Sequence, residues 1–231
     1  MATILRNLLV NYLEPLAYLL YLVAVWFYGR KKDDTRLRPL RLYYFLAFGL
    51  MITASLLIEF DRSTTLYYHI HAFFTIWFLG LYFRGLLNSR FQKNTVLALI
   101  LATTVYMVVK TLVLKETRLF DSIGYSMISA FVVLFVFLYF HQELRNVKDK
   151  NILDDINFWL SSGFLIYFLG SFIIFLTYHY FTLQILATYT QAERDVLTNL
   201  WGLHNCLLFV GALSLLGGSL WIIYRNKSAL S

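Results

Sequence analysis

Seven nearly uninterrupted apolar runs, at about 7–28, 41–59, 66–87, 95–113, 122–142, 157–178 and 197–224, dominate this chain of 231 residues. Each is long enough to cross about 30 Å of hydrocarbon at about 1.5 Å per residue. Inside a bilayer a segment must satisfy its own backbone groups, which a helix does alone. The pattern therefore predicts an all-α membrane protein, a seven-helix transmembrane bundle forming a single domain over 1–231. Composition agrees: 59% of residues are hydrophobic and 14% charged, against about 25% charged in soluble domains. The remaining loops are too short to build a second core. The first run exceeds a signal-peptide core, lacks a small-x-small cleavage site and ends in YGRKKDD, so it is expected to be a retained helix.

Short loops rich in Lys and Arg stay on the cytoplasmic side. Fourteen of the 20 basic residues fall after the first, third, fifth and seventh runs: Arg30, Lys31, Lys32, Arg36, Arg38, Arg41, Arg84, Arg90, Lys93, Arg145, Lys148, Lys150, Arg225 and Lys227. The other side holds Arg6, Arg62, Lys110, Lys115, Arg118 and Arg194. The expected topology has the N-terminus outside and the C-terminus cytoplasmic. The net charge of +7 follows from this asymmetry and is no nucleic-acid footprint. Aromatic residues near the helix ends, among them Trp26, Phe27, Tyr43, Tyr44, Tyr180 and Trp221, suit the two interfaces.

The polar residues gather toward the outer end. Asn11, Tyr12 and Glu14 open the first run, Glu59 and Asp61 close the second, and Tyr67, Tyr68, His69 and His71 open the third. Asn199, Trp201, His204 and Asn205 open the last. An ionisable group at membrane depth costs roughly 2.5–3.5 kcal/mol on insertion scales and so faces the bundle interior. Glu14 is the deepest case, and the following Pro15 removes a backbone donor. His69 and His71 are two apart, about 200° around a helix, so one face cannot present both. Tyr67, His71 and Thr75 form the inward stripe, while His69 points to a neighbouring helix or the headgroups. Small residues on the last two runs (Ser161, Ser162, Gly163, Gly170, Ser171; Gly211, Ser214, Gly217, Gly218, Ser219) predict a tight seam between them.

Several chemistries are missing. The last run carries no embedded lysine for a retinal Schiff base, and no phosphate-binding loop, dinucleotide fingerprint or nucleophile elbow is present. The single Cys206 excludes an internal disulfide. Two histidines and a carboxylate could hold zinc with a position open for water, through His71, His204 and Glu59 or Asp61. No other cofactor is expected. In ASLLIE, Ser55 stands four residues before an ionisable group, as in the seven-helix metal-dependent lipid hydrolases that resemble ceramidases and adiponectin-type receptors. Here Glu59 occupies a histidine position of that pattern, and Leu208 follows His204 where a second histidine would stand.

YHIHAFFTIWFLGLYFRGLL, NFWLSSGFLIYFLGSFIIFL and LTNLWGLHNCLLFVGALSL together resemble a family of bacterial seven-helix inner-membrane proteins, some of them similar to the sensor halves of histidine kinases. The resemblance implies the fold and a multi-pass location in the bacterial inner membrane. The expected function is a receptor-like sensing module in which a small or lipid-like ligand contacts Glu14, Glu59, His71, Trp201, His204 and Asn205 from the outer side. A cytoplasmic signalling protein would be its partner. The alternatives are an intramembrane metal-dependent lipid hydrolase and a structural membrane anchor.

Overall fold

The computed structural model describes residues 8–32, 37–60, 62–113, 120–145, 151–184 and 191–228. Asp61 lies outside them, as do Arg6, Arg36, Lys115, Arg118, Lys148 and Lys150 of the charge count. Seven long helices fill most of the described chain: α1 (Leu13–Lys32), α2 (Arg38–Glu59), α3 (Thr65–Leu86), α4 (Arg90–Val108), α5 (Ser122–Arg145), α6 (Ile156–Gln184) and α7 (Gln191–Ser228). A π-helical turn, Leu8–Tyr12, leads into α1, and a second, Val109–Val113, extends α4. Among the described residues there is no strand. Several helices outrun the apolar stretches. The 38-residue α7 is roughly 57 Å long, so its polar first turns lie beyond what hydropathy marks.

Among the described residues, six segments are long and apolar enough to cross a membrane. The exception by composition is α3, whose 22 residues match α2 in length but include Tyr67, Tyr68, His69 and His71. Both its histidines are buried, on different faces as their spacing requires. Both can be buried because α3 is flanked by α2, α4 and α5 and needs no wide lipid-facing stripe.

The helices close a ring. Contacts run from α1 to α2, α2 to α3, α3 to α5, α5 to α6, α6 to α7, and from α7 back to α1. The fourth helix stands outside, leaning on α3 and α5. Gly80 of α3 lets it approach, for a Cβ there would collide with Ile100 of α4. The far side of α4 exposes Leu101, Val105, Val108 and Leu112, a surface suited to lipid.

The small-residue seam forms as expected. A Cβ on Gly163 would stand 2.8 Å from the carbonyl oxygen of Gly211, and one on Gly211 would stand 2.9 Å from that of Gly163. Here α6 and α7 cross backbone to backbone, the close contact that drives helix association where hydrophobicity cannot. Gly170 receives Leu207 and Gly218 receives Trp159. Gly217 faces open space.

At the start of α1 the proline dictates the packing. Pro15 has no N–H, so the carbonyls four and five residues before it, Asn11 and Val10, lose the donor that an α- or π-turn would supply. Neighbouring helices provide replacements. Ser55 of α2 donates to Asn11 at 2.5 Å, sharing its hydrogen with Met51 at 2.9 Å. Asn205 of α7 donates through Nδ2 to Val10 at 2.9 Å and to Leu9 at 3.1 Å. Helix-breaking residues are tolerated in membranes where such side chains serve the freed groups.

The opposite end is pinned by side chains. Gln142 of α5 closes the end of α3, accepting from the Asn88 amide at 2.6 Å and donating to the Leu86 carbonyl at 3.1 Å. The turn Ile152–Asp154 before α6 is held by Trp159, which donates to Leu153 at 3.0 Å, and by the Arg225–Asp154 ion pair at 3.0 Å.

Tyr43 and Tyr44 depart from the sequence expectation. They lie near the start of α2, where an interfacial position was predicted, yet both are buried against the bundle axis. Trp26, Phe27, Tyr180 and Trp221 are exposed, as interfacial residues should be.

Candidate functional site

The two inward histidines occupy similar niches on opposite walls of the ring. On α3, the His71 ring meets the Tyr125 hydroxyl at 3.2 Å through Nδ1 and the Tyr43 hydroxyl at 3.4 Å through Nε2. Tyr125 donates its hydrogen to the carbonyl of Tyr68 at 2.8 Å, so its oxygen accepts from His71 Nδ1–H. Thr75 donates to the His71 carbonyl at 2.8 Å. The Tyr43 hydroxyl then has one hydrogen for two acceptors, Thr75 Oγ1 at 3.0 Å and His71 Nε2. This count fixes the tautomer of His71 and leaves Nε2 with half a donor.

On α7, His204 meets the Tyr167 hydroxyl at 3.1 Å and the Ser171 hydroxyl at 2.9 Å, both from α6. Trp201, one turn earlier, lies 5.4 Å from the His204 ring and 5.3 Å from Tyr68. Stacked and tilted rings join the two histidines: His71 to Tyr125 at 6.3 Å, Tyr125 to Phe175 at 5.0 Å, Phe175 to His204 at 4.8 Å. Tyr18 of α1 lies 5.3 Å from the His71 ring and 6.2 Å from Tyr43.

Glu14 stands one helical turn above Tyr18, on the same face of α1. It is 4% exposed. Its carboxyl lies within electrostatic reach of Tyr18, Tyr43, Tyr68, Tyr125 and Tyr167, one tyrosine from each of five helices. Among the described residues it makes no hydrogen bond or ion pair.

Of the six residues expected to touch a ligand, Glu14, His71, His204 and Asn205 are buried, and Trp201 packs between His204 and Tyr68. Asn205 spends its amide nitrogen on the π-helical turn before α1, while its Oδ1 is buried with no partner among the described residues. Glu59 lies apart: it is exposed, and its carboxylate accepts from Tyr12. Asp61 lies outside the described residues. No three His, Cys, Asp or Glu side chains among the described residues converge as a metal ion would require. The nitrogens of both ring-lining histidines face hydroxyl groups instead.

The sequence did not point to Tyr18, Tyr43, Tyr125, Tyr167 or Ser171. A signal existed in the spacing of Glu14, Tyr18 and Tyr21, which places three polar tips along one stripe of α1. Below them, Tyr18, Tyr21, Tyr43, Tyr44, Phe164 and Tyr167 line a cavity of about 10 Å³, about one water in size. The Tyr21 hydroxyl seats against the Gly163–Gly211 crossing.

Fold and site together define an all-α bundle, with helices suited to a membrane and a buried histidine–tyrosine cluster at its axis. Compared with known protein families, curated proteins and solved structures, the chain matches none of them.

Proposed function

We propose that the chain is a receptor-like sensing module of a bacterial inner membrane, with seven spans, the N-terminus outside and the C-terminus cytoplasmic. A small or lipid-like ligand binds among Glu14, His71, Trp201, His204 and Asn205, with Glu59 near the mouth. Occupancy alters the cytoplasmic end for a signalling partner. The observation that carries this reading is a buried carboxyl, Glu14, one turn from Tyr18, whose ring packs on His71 and so connects through Tyr125 and Phe175 to His204.

A route for the signal is available. Tyr167 and Ser171 tie α6 to His204 of α7, and Tyr21 rests on the crossing of these two helices. Farther along, Arg225 of α7 holds the turn before α6. A ligand that displaces His204 would shift α7 against α6 and load the Arg225–Asp154 pair. A ligand can bias such an equilibrium only through its differential affinity for the two arrangements.

The test is a thermal-shift screen of the detergent-purified chain, repeated on alanine variants of His71, His204 and Glu59. Ligand-induced stabilisation that survives all three substitutions would sink the pocket assignment. Topology is tested with Cys206→Ser protein carrying Ser63→Cys or Asn151→Cys, labelled in intact cells by a membrane-impermeant thiol reagent. Labelling at 63 and protection at 151 are expected; the reverse pattern inverts the orientation.

A further inference from the structure

The carboxyl of Glu14 is the least explained group in the bundle. It is 96% withdrawn from solvent in a helix suited to span a membrane, and no described residue pairs with it. Removing a carboxylate from water without a counter-charge costs several kcal/mol, so the group either keeps its proton or is balanced by a cation from outside the described residues. The described basic groups at this end are committed or distant. Lys110 is bound to Asp121 at 2.5 Å on the helix outside the ring. Arg62 and Arg194 are exposed. The nitrogens of His71 and His204 are occupied by hydroxyls. The compensating charge is therefore not supplied by any described side chain.

The surroundings narrow what can supply it. An anionic ligand, whether fatty acid, phosphate or carboxylate, would meet Glu14 with like charge in a low-dielectric site. A metal ion would need several free oxygen lone pairs. Here the Tyr125 oxygen already accepts from His71, and no three potential ligands of the His, Cys, Asp and Glu type converge. Aromatic faces with hydroxyl rims suit a different class of cation. Tyr18 stands one turn from Glu14 on the same face of α1, its ring 5.3 Å from His71 and 6.2 Å from Tyr43, and Trp201 packs on Tyr68. Rings attract an ammonium group through their quadrupoles, and a carboxylate accepts its N–H groups in charge-assisted hydrogen bonds.

We infer that the ligand of this site carries a positive charge: an alkylammonium-type amine that pairs with Glu14 and packs on the tyrosine rings around it. The inference rests on the ligand-binding reading above and names its ligand class. The π-helical turn before this carboxyl and Pro15 immediately after it loosen the start of the helix where such a ligand would approach from the end of the bundle.

The experiment is a thermal-shift comparison on the full purified chain. Probes are n-butylammonium and choline, the neutral n-butanol, the anionic butyrate, and sodium chloride at matched ionic strength. At about ten times the dissociation constant the amines should raise Tm by several degrees. Glu14→Gln should lose that shift, Glu14→Asp should keep part of it, and Gly217→Ala should leave it unchanged. Stabilisation by butanol or butyrate without the amines would overturn the charge inference and leave a ligand pocket standing. Silence from every probe counts against both readings. Equal shifts with sodium chloride would assign an alkali metal ion, and a rise on acidification alone would assign a proton; either overturns the amine. Loss of stability in Arg6→Ala that Glu14→Gln reverses would make Arg6 the counter-charge and overturn it as well.

Discussion

The hydroxyl of Ser55 donates to the carbonyl oxygen of Asn11 at 2.5 Å, a carbonyl that Pro15, four residues onward, cannot serve. Ser55→Ala should destabilise the bundle by about 1–3 kcal/mol, the usual cost of a buried acceptor left bare. Pro15→Ala restores a backbone donor, so the loss should shrink in the double variant. A thermodynamic cycle on the four proteins measures the coupling; additive losses would dissociate the serine from the proline.

The crossing of α6 and α7 predicts a sharp contrast between two glycines. Gly163→Ala should cost about 1–3 kcal/mol through overpacking, because its Cβ would stand 2.8 Å from the Gly211 carbonyl. Gly217→Ala meets nothing within 4 Å and should be neutral or gain up to about 1 kcal/mol from helix propensity. Thermal unfolding in detergent distinguishes them, and similar losses at both positions would dismiss the close crossing.

Tyr125 serves two partners, the carbonyl of Tyr68 and Nδ1 of His71. Tyr125→Phe keeps the ring stacked on Phe120 at 4.9 Å and removes only the oxygen. A loss of about 1–3 kcal/mol is expected, with altered exchange of the His71 ring N–H in NMR spectra. Unchanged stability and an unchanged imidazole signal would refute the assigned tautomer.

The Lys110–Asp121 pair, from the π-helical turn after α4 and the residue preceding α5, is mostly buried, with 19% and 5% of the side chains exposed. Lys110→Met alone strands Asp121 and should cost about 3–5 kcal/mol. Replacing both, Lys110→Met with Asp121→Leu, should recover part of that loss. The recovery should be incomplete because Asp121 also accepts from the Gly124 amide at 3.1 Å. A double variant no better than the single one would mean that the pair matters chiefly through its carboxylate.

Much of the architecture was legible in the sequence because a bilayer enforces it. Apolar run length gave the helices, and small residues at Gly163, Gly170, Gly211 and Gly218 gave the seam. The position of α4 was not legible, since a lipid-facing Leu101 or Val105 is as apolar as a core-facing Val96 or Ile100. Hydropathy distinguishes membrane from water, and both kinds of residue lie on the same side of that division. Of the site, Glu14, His71 and His204 stood out because charge and imidazole are expensive in hydrocarbon. The tyrosines hid among the chain's seventeen or among interfacial aromatics, as Tyr43 and Tyr44 did. Nor does sequence alone reveal that Asn205 reaches across to the carbonyls of the π-helical turn before α1, 195 and 196 positions away.

That last contact sets an order in time. The turn before Pro15 leaves the ribosome 195 residues ahead of the amide that completes it. Until α7 arrives, Leu9 and Val10 must borrow water or lipid headgroups, so this turn stays provisional and open to surveillance while the helices between them are made. Closing the ring ends that exposure.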